Sequence, residues 1–125
     1  MTKTIFFDLF WTLIAPHPPA TGETEYGLLG ISKKEWWGFN EDHRVADERY
    51  RGLVMDEKEM LRRIITLGNL DCTEDTLDKI HELRLRRIHD AMVNIDPIVF
   101  DTLYRLKERG FRLCIISNAD AIDIH

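Results

Sequence analysis

Ile5-Phe6-Phe7-Asp8-Leu9-Phe10-Trp11-Thr12-Leu13 is an apolar run broken by a single carboxylate. Residues 4 to 9 are rich in aromatic and β-branched side chains, a pattern that suits a strand buried on both faces, as in a parallel sheet. Such a strand carries Asp8 to its own C-terminal tip, where open α/β sheets bind ligands. A second apolar run, Leu113-Cys114-Ile115-Ile116, ends in Ser117-Asn118. It would deliver a hydroxyl and an amide to the same edge.

Between the two runs the signals are helical. Pro16, Pro18 and Pro19 interrupt regular structure, so 15 to 30 reads as loop or a short turn. Ser32 with Glu35 forms a capping box ahead of Trp36, Trp37 and Phe39. Asp56 with Glu59 forms a second, followed by Met60, Leu61, Ile64 and Ile65, with Gly68 as the stop. Thr73 can cap a third helix whose apolar positions are Leu77, Ile80, Leu85, Ile88 and Met92, interrupted by Arg84, Arg86 and Arg87. Asp96-Pro97 opens a fresh helix with Val99, Leu103 and Leu106 on one face, and Gly110 ends it before the second strand. A helix feeding a parallel strand across a short glycine turn is the basic step of a doubly wound sheet. The expected fold is therefore α/β: a partial Rossmann-like parallel sheet with two strands and an inserted all-helical cap. Residues 1–15 and 95–125 would form the partial core and 16–94 the cap.

Composition narrows the function classes. An apolar fraction of 44% and a charged fraction of 31% are those of a globular protein. A net charge of −5 argues against a nucleic-acid partner, which calls for a basic surplus. No run approaches the ~20 apolar residues of a membrane span. The N-terminus leads directly into a strand and lacks the layout of a signal peptide, and the two cysteines form no disulfide framework. The expectation is a cytoplasmic protein without a membrane partner, acting on a small molecule. The five histidines lack zinc-type spacing.

Taken alone, Asp8 could simply end a strand, because aspartate suits turns, and Ser117-Asn118 could be a plain strand-to-helix cap. Together they suggest chemistry. Adjacent parallel strands would bring Asp8, Thr12 and Ser117 to one edge, where hydroxyls and backbone N–H groups can hold an anion. A carboxylate there can act as a covalent nucleophile. Trp36, Trp37 and Phe39 have two readings, a pocket lining or packing between helices.

The pattern resembles the haloacid dehalogenase-like hydrolase superfamily, in its helical-cap subgroup. Asp8-Leu9-Phe10-Trp11-Thr12 is similar to that family's first motif, Ile115-Ile116-Ser117-Asn118 to its second, and Leu103 to Gly110 to the helix before the second. The resemblance implies that Asp8 is the nucleophile, attacking phosphorus in phosphatases or the halogen-bearing carbon in 2-haloacid dehalogenases. Ser117 would bind an oxygen of the reacting group and Asn118 would shape its pocket. In metal-dependent members, Asp8 and the backbone carbonyl of Phe10 would hold Mg²⁺; a dehalogenase would need none.

Two departures follow from the resemblance. Phe10 stands where phosphatases carry a second Asp as general acid and base, and an aromatic ring cannot transfer a proton. Dehalogenase-type members carry an aromatic residue there, because halide leaves unprotonated. The family's Lys and its acidic motif come after a further strand, whereas only Ala119 to His125 follow Asn118. Arg44 and Arg49 are the basic candidates left to neutralise the site. The expectation is an N-terminal fragment, weakly active or inactive alone, that forms a homo-oligomer or meets a complementing chain. The alternative is a non-catalytic interaction module or relic that associates through its helical block.

Overall fold

A computed structural model describes residues 2–18, 22–54 and 56–117. In chain order these residues form β1 (Thr4–Phe7), α1 (Glu25–Leu28), α2 (Lys33–Asn40), α3 (His43–Tyr50), α4 (Glu57–Leu67), α5 (Glu74–Val93), α6 (Pro97–Glu108) and β2 (Arg112–Ile115). The chain is thus mixed α/β, with a two-stranded parallel sheet at the two ends of a helical series. It divides into two units. The described residues of Met1–His17 and Arg87–Asn118 form one, and those of Pro18–Arg86 the other.

In the sheet unit, β1 and β2 pair in parallel with Thr4 opposite Arg112, Ile5 opposite Leu113, Phe6 opposite Cys114 and Phe7 opposite Ile115. Arg112 N–H donates to the Lys3 carbonyl at 2.9 Å and Ile116 N–H to the Phe7 carbonyl at 2.8 Å, so the ladder outlasts both strands. Asp96 caps α6 by accepting from Ile98 N–H at 2.9 Å, with Pro97 at the first helical position. Gly110 adopts φ +84°, a left-handed turn that returns the chain from α6 to β2 without a Cβ clash.

Burial in this sheet differs from the expectation that both faces are covered. Exposure alternates along β1, and Phe6 stands 61% exposed, with Ile115 at 59%. The reason is geometric. Within this unit α6 packs against β2 with Val99, Leu103 and Leu106 partly buried, and one helix layer covers one face of a sheet. Ile98, Phe100 and Tyr104 on α6 are exposed as well.

The helical unit buries its apolar residues more completely. Met60, Leu61, Ile64 and Ile80 are fully enclosed, with Trp36, Val45, Ala46, Val54, Ile65 and Leu77 around them. Ser32 and Glu35 make the full capping box of α2: the Ser32 hydroxyl accepts from Glu35 N–H at 3.2 Å and Glu35 accepts from Ser32 N–H at 2.8 Å. Asp56 accepts from Glu59 N–H at 2.6 Å, while the Glu59 carboxylate accepts from Arg63 Nε at 3.1 Å. Thr73 caps α5 through Thr76 N–H at 3.2 Å. Trp36 belongs to the core, its indole N–H donating to Glu25 at 2.7 Å; Trp37 and Phe39 are half-buried. Packing between helices is therefore the role of this aromatic group.

Four local features depart from the sequence pattern. The 15–30 segment contains the short helix α1, capped by Thr24. α3 carries little apolar periodicity and is instead nucleated by Asp42, which accepts from Arg44 N–H at 3.0 Å and pairs with the Arg44 guanidinium at 2.9 and 2.8 Å. On α5 the buried positions are Leu77, Ile80, Arg84 and Ile88, so Arg84 takes the place expected of Leu85. Its guanidinium donates to the Asn40 side-chain carbonyl at 3.0 Å, and Asn40 donates onward to the Trp36 carbonyl at 2.8 Å. At the end of α4 the left-handed residue is Asn69, at φ +49°. Gly68 serves close approach instead, since a Cβ there would meet the Phe39 ring at 2.9 Å. Among the described residues no helix is long and apolar enough to cross a membrane.

Truncating Leu61 to alanine is expected to cost about 2–5 kcal/mol, because the side chain is wholly enclosed and leaves a cavity; urea unfolding measures it. The Asp42 carboxyl is held well below the usual carboxylate range by its hydrogen bonds from Arg44. A carboxyl depressed in the folded state contributes stability above its unfolded value of about 3.9 and loses it as pH falls through the folded value. An NMR carboxyl titration should therefore place the Asp42 midpoint below that of an ordinary aspartate, and Arg44→Ala should raise it.

Candidate functional site

Asp8 immediately follows the last residue of β1, and its side chain is exposed. The ladder bond from Ile116 N–H to the Phe7 carbonyl places Ser117 just past the end of the adjacent strand. The two residues therefore occupy neighbouring C-terminal strand tips, as parallel pairing dictates. Ser117 Oγ is buried and has no hydrogen-bond partner among the described residues. A buried hydroxyl without a partner costs about 1–3 kcal/mol, and such groups in native proteins commonly mark a working site or a bound solvent molecule. Asn118 lies outside the described residues.

After Asp8 the backbone coils tightly. The Leu9 carbonyl accepts from both Leu13 N–H at 2.9 Å and Ile14 N–H at 3.1 Å, while Trp11 N–H donates to the Ile14 carbonyl at 2.6 Å. Phe10 is half-buried and forms an isolated bridge with Ile14. The turn forces Trp11 to φ +62°, a left-handed conformation that costs a bulky residue roughly 1–2 kcal/mol. Thr12 is exposed on this turn. It lines a cleft of about 440 Å³ to which neither Asp8 nor Ser117 contributes.

No group of three or more His, Cys, Asp or Glu side chains gathers among the described residues. Asp8 and the Phe10 carbonyl would fill two of the roughly six oxygen positions that Mg²⁺ requires. The two arginines considered for neutralising the site are engaged in the helical unit. Arg44 is held by Asp42, and Arg49, buried, donates to Tyr50 Oη at 2.9 Å and lies 3.5 Å from Glu41.

Sequence reading missed the cleft beside the turn. Its floor is Ile14, Ala91, Ile95 and Val99, and its rim includes His17, Arg87, Asp90 and Asp96. One signal was available. Arg87, Asp90 and Asn94 recur at intervals of three and four, which lays a polar row along one face of α5 and its continuation. His17 had no comparable pattern, since its place depends on how the 9–17 loop folds.

Ser117→Ala removes an unsatisfied buried hydroxyl, so thermal unfolding should find the variant as stable as the parent or up to about 1 kcal/mol more stable. A clear destabilisation would mean that the hydroxyl has a structural partner. No known protein family, curated protein or solved structure matches this chain.

Proposed function

We propose that the chain is a haloacid dehalogenase-like hydrolase with Asp8 as its nucleophile, a Rossmann-like core and a helical cap. One observation carries the reading: the parallel register brings Asp8 and Ser117 to neighbouring strand ends, and the buried Ser117 hydroxyl has no hydrogen-bond partner among the described residues. An Asp8 oxygen attacks the electrophilic centre and forms an ester with the substrate. The Ser117 hydroxyl donates to an oxygen of the reacting group and orients it, which is most effective where water is excluded. Phe10 supplies no proton, so the leaving group departs unprotonated. That favours halide over the alkoxide of an unactivated phosphate ester, and makes 2-haloacids the first substrates to test. Phosphate esters with a good leaving group are the second.

The test is halide release from 2-chloropropionate and phenolate release from 4-nitrophenyl phosphate, measured beside Asp8→Asn. Turnover by the parent chain should fall about 10³-fold or more in Asp8→Asn and about 10²-fold in Ser117→Ala. Equal rates in parent and Asp8→Asn for both substrates would sink the enzymatic reading.

A second reading, a non-catalytic interaction module, gains support from the exposed apolar side chains Phe6, Tyr104, Ile115 and Ile116. They belong to the sheet and α6, so association through that unit is the form favoured, instead of through the helical block. Sedimentation that depends on concentration, joined with inactivity of the parent chain and of Asp8→Asn alike, is its signature.

A further inference from the structure

The cleft beside the 11–17 turn lies wholly within the sheet unit, and the Asp8 chemistry makes no use of it. Its volume, about 440 Å³, falls in the range of small-molecule sites, which commonly combine an apolar floor with a few convergent polar groups. The floor here is Ile14, Ala91, Ile95 and Val99. Ile14 is 4% exposed, so the floor is anchored in the core and does not depend on loose side chains.

The wall is Trp11. The residue is 58% exposed, and its ring meets the His17 ring in an edge geometry, with centroids 5.0 Å apart and planes at 76°. It is held at φ +62°, where a large side chain is disfavoured and glycine is at ease. Packing does not explain its presence, because more than half of the residue's surface is left in solvent. An indole that lines a cleft offers the best side-chain surface for a cation.

Charge at the rim points the same way. Asp90 and Asp96 contribute two carboxylates against the single guanidinium of Arg87. That guanidinium donates to the Pro16 carbonyl at 3.3 Å and so helps to fix the loop. Asp96 Oδ1 is committed to the α6 cap, which leaves Asp90 as the carboxylate whose removal can be tested without touching a helix start.

We infer that this cleft binds a small organic cation with a flat apolar body, an aryl ammonium or aryl amidinium, between the Trp11 ring and the Asp90 carboxylate. The flat body lies on the apolar floor and the cationic head meets Trp11 and Asp90. The inference is independent of the hydrolase proposal, because none of its groups acts at Asp8.

Two-dimensional amide NMR of the full chain tests it, with benzamidinium as probe and benzoate as its anionic counterpart. Benzamidinium should shift the Trp11 indole N–H and the Asn94 side-chain amide saturably, and benzoate should shift neither. Asp90→Asn should weaken benzamidinium about two- to fivefold, the scale of one exposed carboxylate–cation pair. Trp11→Gly should abolish the Asn94 shift and leave the melting temperature equal or higher, since glycine takes the left-handed turn without strain. Saturable binding of benzoate, absence of saturable shifts with benzamidinium, or retention of its affinity in Trp11→Gly would overturn the inference. A hydrolase assay that fails leaves these outcomes untouched, so the two proposals fall separately.

Discussion

The parallel ladder between residues 3–7 and 112–116 is the constraint on which the sheet unit rests. Two antiparallel strands can be closed by a hairpin, but parallel strands need a crossover that carries the chain back to its starting end. Here that crossover contains every helix described, and its last step, α6 and Gly110, does the final return. The same ladder fixes which residues share the C-terminal edge. Once Phe7 accepts from Ile116, Asp8 and Ser117 fall at the ends of adjacent strands.

The two units bury their side chains by different means. The helical unit encloses a conventional apolar core and threads a polar chain through it, from Arg84 to Asn40 to the Trp36 carbonyl. Buried charge is tolerable only when its donors are met, and these bonds meet that condition in part. The sheet unit has one helix layer and keeps large apolar side chains in solvent on β1, β2 and α6. It also holds two local costs close together, the left-handed Trp11 and the partnerless Ser117 hydroxyl. Costs of this kind concentrate at working surfaces, where local stability is given up for geometry. The cleft that Trp11 lines does not include Ser117.

Elements with strong local signals were legible. The capping residues Ser32, Asp56, Thr73 and Asp96 each start the helix their position announced, because a cap is settled by residues three positions apart. The strands and their parallel pairing also followed from the apolar runs and the helix between them. α3 was not legible, since HRVADERY has few apolar residues and its start depends on a single Asp42–Arg44 pair. The buried stripe of α5 was read one residue off, because a long arginine enters the core only where Asn40 waits to receive it. That partner lies 44 positions away in sequence, beyond any local pattern.

By itself, then, the sequence determined helices α2, α4, α5 and α6, the two strands and the placement of a carboxylate and a hydroxyl at strand ends. These are consequences of hydrophobic period, capping chemistry and glycine or proline at chain reversals, all of which act over a few residues. Tertiary structure alone decided which faces are covered, that Arg84 is a core residue, that Ser117 Oγ is enclosed without a partner, and that Trp11, His17 and Asp90 border one cleft. Those outcomes depend on contacts between segments brought together by the parallel ladder and helix packing. No short window of sequence contains both sides of such a contact.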